Sequence, residues 1–371
     1  MCPNSVPIEV MIVDDSAAAR AGLAKLLSAD SGIRVVSMAR DAFEAADMMR
    51  RDLPDVMLLD LALPRMDGLS FLRRIMAQHP LPVVVCSSFT AEGSENAMRA
   101  LECGAAEVVA KPRLRSAADW AEAEVVLCDA VHAAASTHPR RKARPGPKVL
   151  SPGPKLTADV ILPPLPARPN AGPPNGHVIA IGASTGGTEA LVTVLAALPA
   201  DLPPIVIVQH MPEHFTETFA RRLDGLCRLS VAEARGGERP EPGQALIAQG
   251  NRHMMLRRSG AGYLIELADG PAVSRHRPSV DVLFRSVAQS AGDKALGVVL
   301  TGMGDDGARG LLEMRQSGAE TFVQDEASCV VFGMPKEALA MGGATVQKPL
   351  TKIASEIAGW VHKTKPAHRS G

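Results

Sequence analysis

The sequence lacks the cysteine spacing of a metal site or a disulfide framework. Its six cysteines, in 371 residues, form no C-x-x-C pair, so neither a zinc site nor a set of bridges is indicated. It also lacks a basic start followed by an apolar run, and no segment reaches the length of a membrane span. We therefore expect a cytoplasmic protein with no direct membrane insertion.

The chain has no excess of either charge, since 40 basic residues balance 40 acidic ones, but the charges are spread unevenly. Residues 136–176 contain 7 Lys and Arg against 1 acidic residue, with eleven prolines between Pro139 and Pro174. This composition predicts a semi-extended basic linker. The length and the 46% hydrophobic content predict two domains on either side of it, residues 1–135 and 177–371.

The first domain alternates short β-branched runs with stretches of helical period, which predicts an α/β fold with a five-stranded, parallel, doubly wound sheet of the flavodoxin-like kind. The predicted strands are Ile8 to Val13, Arg34 to Met38, Val56 to Leu59, Pro82 to Val85 and Glu107 to Val109.

Polar side chains follow four of these strands: Asp14 and Asp15, Asp60, Ser87, and Lys111. Ligands bind beyond the carboxyl ends of such strands. Three carboxylates brought together repel one another unless a divalent cation lies among them, and oxygen ligands of this kind suit Mg²⁺. One carboxylate could then accept a phosphoryl group. Each residue alone could cap a helix or face solvent, but the whole set is harder to explain in that way.

Residues 1–135 resemble a response-regulator receiver domain, and the loop from Leu63 to Gly68 also fits that family. The resemblance implies that a histidine kinase is the phosphodonor and that Asp60 is the phosphoacceptor. It assigns Asp15, Asp60 and the Ala62 carbonyl to Mg²⁺, with Asp14 joining through the water shell of the metal.

The same resemblance makes Ser87 and Lys111 the switch hydroxyl and the switch lysine. One departure is Val108, which stands where receivers commonly carry an aromatic switch residue. Its small side chain suggests that the receiver surface that signals to the second domain changes through backbone shifts instead.

In the second domain, the apolar run from Ile179 ends in Gly182-Ala183-Ser184-Thr185-Gly186, and a predicted helix follows from Thr188 to Leu198. Small neighbours allow a serine to be exposed on a sharp strand-to-helix turn, and the helix amides could hold an oxyanion. On this motif alone, a glycine-rich turn that binds a phosphate, or nothing, is the favoured interpretation.

Two further predicted strands, Pro204 to Val208 and Ala295 to Leu300, also end in reactive groups: His210 follows the first, and Asp305 and Asp306 follow the second. A serine, a histidine and an aspartate at one sheet edge are the parts of a hydrolytic triad. The chain order Ser, His, Asp disfavours the α/β-hydrolase fold. A surface histidine and a turn-forming aspartate are the alternatives for the single residues.

Several motifs in order resemble the chemotaxis protein-glutamate methylesterase family, CheB, over nearly the whole chain. They begin at Gly182, Gln209, His276, Leu300 and Glu326. The resemblance implies a phosphorylation-activated esterase with a doubly wound α/β catalytic domain, which removes methyl groups from glutamate methyl esters on chemoreceptors. Many members also deamidate receptor glutamines, and the ester chemistry needs no cofactor.

By the same resemblance Ser184 is the nucleophile, His210 the general base and acid, and Asp306, rather than Asp305, the orienting carboxylate. The amides of Thr185 and Met303 would donate to the oxyanion.

Two loops depart from the family pattern, at Gln249 and at Ser274, where a proline and an asparagine are usual. Both could alter receptor-site preference without removing catalysis. His276 and Arg277 are candidates for binding substrate, although they, like His253, could equally be structural.

A receiver joined to an enzyme can regulate it by covering the Ser184 cleft until Asp60 is phosphorylated. Two other readings compete with this one. A DNA-binding output domain would need a basic second domain, and residues 177–371 are charge-balanced, so we expect no nucleic-acid partner. A catalytically silent adaptor that has kept the fold stays open. We expect a monomer.

Overall fold

The computed structural model describes residues 6–87, 90–112, 116–137, 155–164 and 176–364. The chain forms two compact units, Met1–Pro154 and Lys155–Gly371. Of the predicted linker, residues 138–154 and 165–175 lie outside the described residues. The part from 155 to 164 belongs to the second unit.

The first unit contains a five-stranded parallel sheet, as predicted, in the order β2-β1-β3-β4-β5. This is the flavodoxin-like strand order. The strands β3 and β4 are buried along their whole length, because helices cover both faces of the sheet. The strands are β1 (Ile8–Val13), β2 (Ile33–Ala39), β3 (Val56–Asp60), β4 (Val83–Ser87) and β5 (Glu107–Ala110).

Each helix of this unit begins at a polar residue whose side chain accepts a hydrogen bond from the first turn: Ser16, Asp41, Asp67, Thr90 and Ser116. Ser116 and Asp119 form a reciprocal capping box. The helices are α1 (Ala17–Leu27), α2 (Ala42–Met49), α3 (Gly68–Gln78), α4 (Ala91–Glu102) and α5 (Ala117–Ser136).

The second unit contains a seven-stranded parallel sheet in the order β14-β13-β12-β6-β7-β9-β8. The chain starts at β6 and builds outward in both directions, so the strand order reverses between β6 and β12. Such a switch point opens a crevice at the carboxyl ends of the two strands. The strands are β6 (Val178–Ala183), β7 (Ile205–Gln209), β8 (Ser230–Glu233), β9 (Gln244–Ile247), β12 (Ala295–Val299), β13 (Glu320–Gln324) and β14 (Gln347–Lys348).

An antiparallel hairpin, β10 (His253–Ser259) with β11 (Gly262–Ala268), interrupts the alternation of strands and helices in the second unit. The six helices of the described part of this unit are α6 (Gly187–Ala196), α7 (Phe215–Leu226), α8 (Val280–Ala291), α9 (Ala308–Gln316), α10 (Met334–Ala340) and α11 (Leu350–Thr364). None of the helices described in either unit is both long enough and apolar enough to cross a bilayer.

Helix α8 lies at the centre of the second unit, and almost all of its side chains are buried. It packs closely on β6, because a Cβ on Gly182 would lie 2.2 Å from Cγ1 of Val280. Glycine at this position therefore lets the helix approach the strand. The N-terminus of α8 is thereby held beside the end of β6, where the serine turn begins.

Residues 155–164, here called the strap, pack on α8. The guanidinium of Arg285, which is 3% exposed, donates to Asp159 Oδ1 at 2.5 Å and to the Leu162 carbonyl at 2.9 Å. The buried side chains of Ala158 and Leu162 join a small apolar cluster with Val282. The strap also reaches the loop before α8, where the Leu156 carbonyl accepts the Ser274 amide at 2.9 Å.

Candidate active site

Ser184 follows β6 directly and opens a tight turn into α6. Gly186 takes a positive φ of 75° at the helix N-cap, a conformation that favours glycine. The loop after β12 packs closely against the serine. There is no room for a side chain at Gly302, since an added Cβ would lie 2.8 Å from Ser184 Cβ. The predicted nucleophile therefore stands at the switch-point crevice. Its Oγ makes no hydrogen bond to another residue in the described ranges.

His210 follows β7, and its amide donates to the Ala183 carbonyl at 3.0 Å, which ties it to the end of β6. Its ring Nε2 lies 2.8 Å from Asp306 Oδ2. The other ring nitrogen, Nδ1, is buried and has no hydrogen-bond partner among the residues described. If Nε2 carries the proton toward the carboxylate, Nδ1 is the basic nitrogen left for Ser184.

Asp306 is fully buried and accepts three more hydrogen bonds. Its donors are the Ser279 hydroxyl at 2.8 Å, the Val280 amide at 2.8 Å and the Asp281 amide at 2.9 Å. Burial by itself would raise the pKa of this carboxyl, but the His210 hydrogen bond and charge, with the amides at the start of α8, lower the pKa to about 2. Asp306 is thus an anion that fixes the His210 ring.

The neighbouring carboxylate, Asp305, points elsewhere and pairs with the ammonium of Lys155 in the strap. Of the two adjacent aspartates, Asp306 is therefore the one that the structure brings to His210.

His276 stacks on His210, with ring centroids 3.7 Å apart and ring planes 7° from parallel. Its Nδ1 lies 2.9 Å from the Ser274 carbonyl. Burial, and then the nearby His210 ring, lower its pKa to about 3, so His276 is neutral at ordinary pH. Nothing in the sequence signals this stack, because the two histidines are far apart in the chain.

His210, His276 and Asp306 offer ligand atoms close enough to hold a metal ion. Imidazole nitrogens bind metals through lone pairs in the ring plane, and two parallel stacked rings do not aim those lone pairs at one point. The stack therefore fits a polar cluster better than a metal centre.

Arg277 and His253 both have partners within the protein. The Arg277 guanidinium donates to Asn251 Oδ1 at 2.8 Å and to the Gly270 carbonyl at 2.5 Å. The ring of His253 contacts the Pro271 carbonyl and the Ser279 amide. These contacts place His253 in the structural support of the loop before α8. The predicted substrate-binding role of His276 and Arg277 stays a prediction.

Sequence reasoning missed Asp281, which lies beside Asp306. Its carboxylate accepts the Ser274 hydroxyl at 3.0 Å and the Gly310 amide at 2.7 Å. Burial, and then the charge of Asp306, raise its pKa to about 7. Ser274, one of the two departures from the family pattern, is thus tied to a second buried carboxyl group at the site.

The predicted oxyanion donors lie on the two loops that meet at Ser184. Thr185 follows the serine in the turn, and Met303 follows Gly302 in the loop that presses on it. Within the described part of the chain, neither backbone amide donates a hydrogen bond.

In the first unit, the predicted acidic cluster forms at the carboxyl edge of the sheet. Asp14, Asp15 and Asp60 each place one carboxylate oxygen within 4.8 Å of the others. The Lys111 ammonium lies 2.8 Å from Asp14 Oδ2 and 2.6 Å from Asp60 Oδ2. Burial opposes the charge of Lys111, but hydrogen bonds to Asp14 and Asp60 raise its pKa above the usual value.

This cluster suits a hard divalent cation. Asp14 and Asp60 are buried, and the single charge of Lys111 cannot offset the three carboxylates. An all-oxygen set with excess negative charge is what Mg²⁺ or a similar ion prefers.

The other predicted receiver residues surround the cluster. The Ala62 amide donates to Asp60 Oδ1 at 3.2 Å. The hydroxyl of Ser87, which is 2% exposed, donates to the Gly93 carbonyl at 2.9 Å. Val108 is buried within β5. The Ser87 hydroxyl is thus hydrogen-bonded to α4, and its side chain would have to rotate before it could bind a phosphoryl group on Asp60.

The chain matches two known families. Residues 10–118 match the response regulator receiver domain, and residues 179–357 match CheB methylesterase. A protein of Cereibacter sphaeroides, named protein-glutamate methylesterase/protein-glutamine glutaminase of group 3 operon, is 58% identical over 348 residues, 94% of this chain and 94% of that protein. A protein of Anaeromyxobacter dehalogenans, named protein-glutamate methylesterase/protein-glutamine glutaminase 5, is 57% identical over 354 residues, 95% of this chain and 96% of that protein.

Among solved structures, the catalytic domain of CheB methylesterase from Thermotoga maritima is 37% identical. It covers 50% of this chain and 99% of that domain, with a TM-score of 0.49.

Proposed function

Because the chain belongs to the protein-glutamate methylesterase/protein-glutamine glutaminase family, we propose that it hydrolyses glutamate methyl esters on chemoreceptors in chemotaxis. Ser184, His210 and Asp306 would carry the reaction, and phosphorylation of Asp60 would activate it. The observation that carries the proposal is the buried Asp306 carboxylate 2.8 Å from His210 Nε2, at the sheet edge where Ser184 stands.

The proposed reaction uses these three side chains in turn. Ser184 Oγ attacks the ester carbonyl carbon while its proton passes to His210 Nδ1, and the negative charge on Asp306 stabilises the imidazolium. The imidazolium then protonates the methoxy oxygen, and methanol leaves an acyl-enzyme. Water, deprotonated by His210, attacks the acyl carbon and releases glutamate and free Ser184. With a glutamine side chain, ammonia leaves in place of methanol.

The carbonyl oxygen becomes negatively charged during each attack. The Thr185 and Met303 amides would donate to this oxygen from two different loops, beside the N-terminus of α6. His276, neutral and stacked on His210, would hold the plane of that ring. We also propose that the domains are residues 1–135 and 177–371, with the strap as an extension of the second.

In the first unit, Asp60 would accept the phosphoryl group from a histidine kinase, with Asp14, Asp15, Asp60 and the Ala62 carbonyl as the residues that would hold Mg²⁺. When bound, the cation would offset the charge of the carboxylates and of the incoming phosphoryl oxygens. Lys111 contributes a fixed positive charge on the same side.

We expect Ser184→Ala to abolish methanol release from methylated chemoreceptor cytoplasmic fragments, because it removes the proposed nucleophile. Asp306→Asn should lower kcat by about 10⁴, as loss of the orienting carboxylate does in such triads. The matched control is Asp305→Asn, which removes the adjacent carboxylate that faces Lys155 and should keep most of the activity. Methanol release by Ser184→Ala at the wild-type rate would refute the triad.

A further inference from the structure

Two buried side chains hold the Ser184 turn, one from each neighbouring strand. From β7, Gln209 Nε2 donates to the Ser184 carbonyl at 2.9 Å and to the His210 carbonyl at 3.1 Å. From the other side, the Thr301 hydroxyl, next to β12, lies 3.0 Å from the Thr185 carbonyl. Each of the two side chains is 1% exposed, so water cannot replace these hydrogen bonds.

Thr301 is itself held in place. Its hydroxyl accepts the Val331 amide at 3.0 Å, and its backbone carbonyl accepts the Ser184 amide at 3.1 Å. The Val331 carbonyl, at 3.2 Å, is a more distant second acceptor for the hydroxyl. The nearer acceptor is the Thr185 carbonyl, so the hydroxyl can link the serine turn to the loop that carries Val331.

These contacts fix the orientation of two peptide units. A trans peptide is planar, so its C=O and N–H point in opposite directions. When Gln209 holds the Ser184 carbonyl, the Thr185 N–H must point away from Gln209. Thr301 holds the Thr185 carbonyl from the opposite side, so both peptide units of Thr185 are fixed. The Thr185 N–H donates to no residue in the parts of the chain that the structure describes.

We infer that Gln209 and Thr301 are positioning residues that hold Thr185 from both sides and so aim its amide at the oxyanion formed on the substrate. The inference rests on the proposed esterase function and adds to it what orients the oxyanion donors. Gln209 also joins the nucleophile to the base, since its one amide nitrogen binds the carbonyls of both Ser184 and His210.

The unpaired end of the Gln209 amide supports this role. Its Oε1 is buried without a hydrogen-bond partner among the described residues, and a buried unpaired acceptor costs stability. An apolar side chain of similar size would avoid that cost. The amide is therefore better explained by the two hydrogen bonds that its nitrogen donates than by stability.

The decisive variant is Thr301→Val in the full chain, because it replaces the hydroxyl by a methyl group of similar size. We expect kcat for methanol release to fall at least tenfold with KM unchanged, since a misaimed oxyanion donor acts in the transition state. Thr301→Ser keeps the hydroxyl and should restore most of the rate. Gln209→Met should lower kcat in the same way and gives an independent result if Thr301→Val does not fold.

Thr321→Val is the matched control. Thr321 is also a buried threonine in this sheet region, and its hydroxyl donates to the Gly343 carbonyl at 2.7 Å, away from the serine turn. This variant should keep the wild-type kcat. An equal loss of rate in Thr321→Val and Thr301→Val would mean that any lost buried hydroxyl has the same effect, which would overturn the inference.

A second readout separates positioning from general loosening of the fold. The probe is a receptor-like peptide in which a trifluoromethyl ketone replaces the glutamate ester, because its adduct with Ser184 places an oxyanion in the site. Its affinity should fall in Thr301→Val and Gln209→Met by the same factor as kcat/KM. Unchanged affinity with a lowered rate would overturn the inference. Absence of methanol release by the wild-type protein would instead refute the proposed function.

Discussion

At the scale of residues, the site holds two buried carboxyl groups of opposite behaviour. Asp306 accepts hydrogen bonds from four donors, and its pKa falls to about 2. Burial, and then the negative charge of Asp306, raise the pKa of Asp281 to about 7, although it accepts from two donors. Two adjacent carboxylates are costly to ionise together, and the one with more hydrogen-bond donors keeps the charge.

This pair predicts a pH dependence of stability. Between about pH 4 and pH 7, folded Asp281 holds a proton that the unfolded chain has released, so the free energy of unfolding falls as pH rises through this window. From pH 5 to pH 8, the titration of Asp281 should lower the free energy of unfolding by about 3 kcal/mol. Asp281→Asn should not lose this stability, because the amide is neutral and can still pair with Ser274 and Gly310.

Urea unfolding of both proteins at several pH values would measure the difference. His276, whose pKa is lowered to about 3, acts in the opposite direction below about pH 6.5, but it is present in both proteins and cancels. Parallel stability curves for wild type and Asp281→Asn would contradict the prediction.

The sequence predicted which side chains meet at each sheet edge, because the carboxyl ends of parallel strands lie together. The approach of His210 to Asp306 follows from that rule. The same rule does not place the stacked ring of His276 or the carboxyl group of Asp281, because neither residue follows a strand of the sheet. Both depend on how the loop before α8 folds back over the sheet, and no local pattern of residues encodes that path.

At the scale of elements, α8 links the active site to the strap. Its N-terminal amides bind Asp306, and one turn further along Arg285 binds the strap. Composition had placed these strap residues in a basic linker. The strap is short and contains a single 3-10 turn, Ala158–Val160, and its partner Arg285 lies 126 residues away. Neither periodicity nor composition could therefore predict that it docks.

Asp159→Ala should loosen the strap without unfolding the unit. Arg285 would keep the Glu313 carboxylate, its second partner, so a loss of about 1 kcal/mol is expected for a half-exposed partner of a buried arginine. Trypsin cleavage after Lys155 should become several times faster, because the bond must leave the surface to be cut.

The control is Asp269→Ala. Asp269 is 86% exposed and pairs with Arg252 on the surface, where such pairs contribute little. This variant should match the wild type in both measurements. If Asp159→Ala is cut no faster than Asp269→Ala, the ion pair between Asp159 and Arg285 does not hold the strap.

At the scale of the whole molecule, alternation of strands and helices predicted the parallel sheet of the first unit, and its five strands were confirmed with boundaries shifted by at most two residues. Of the second sheet, only the three strands beside the site were predicted. The edge strands are short, and the hairpin of β10 and β11 breaks the alternation, so its position depends on packing against α8 rather than on local sequence.

The two units are proposed to communicate through Asp60. Asp60→Asn cannot accept a phosphoryl group, so a small-molecule phosphodonor should no longer raise the rate of methanol release, while the basal rate stays in place. Asp52→Asn, which changes an exposed carboxylate of the same unit, should keep the full stimulation. Persistent stimulation in Asp60→Asn would show that the phosphodonor acts elsewhere.

Docking of the strap also limits how far one unit can travel from the other. Between the end of α5 and Lys155 lie 18 residues, which span at most about 65 Å when fully extended. If the chain were free as far as Gly176, that limit would be about 140 Å. The volume open to the receiver is thus smaller by about tenfold, which raises its effective concentration at the enzyme in proportion.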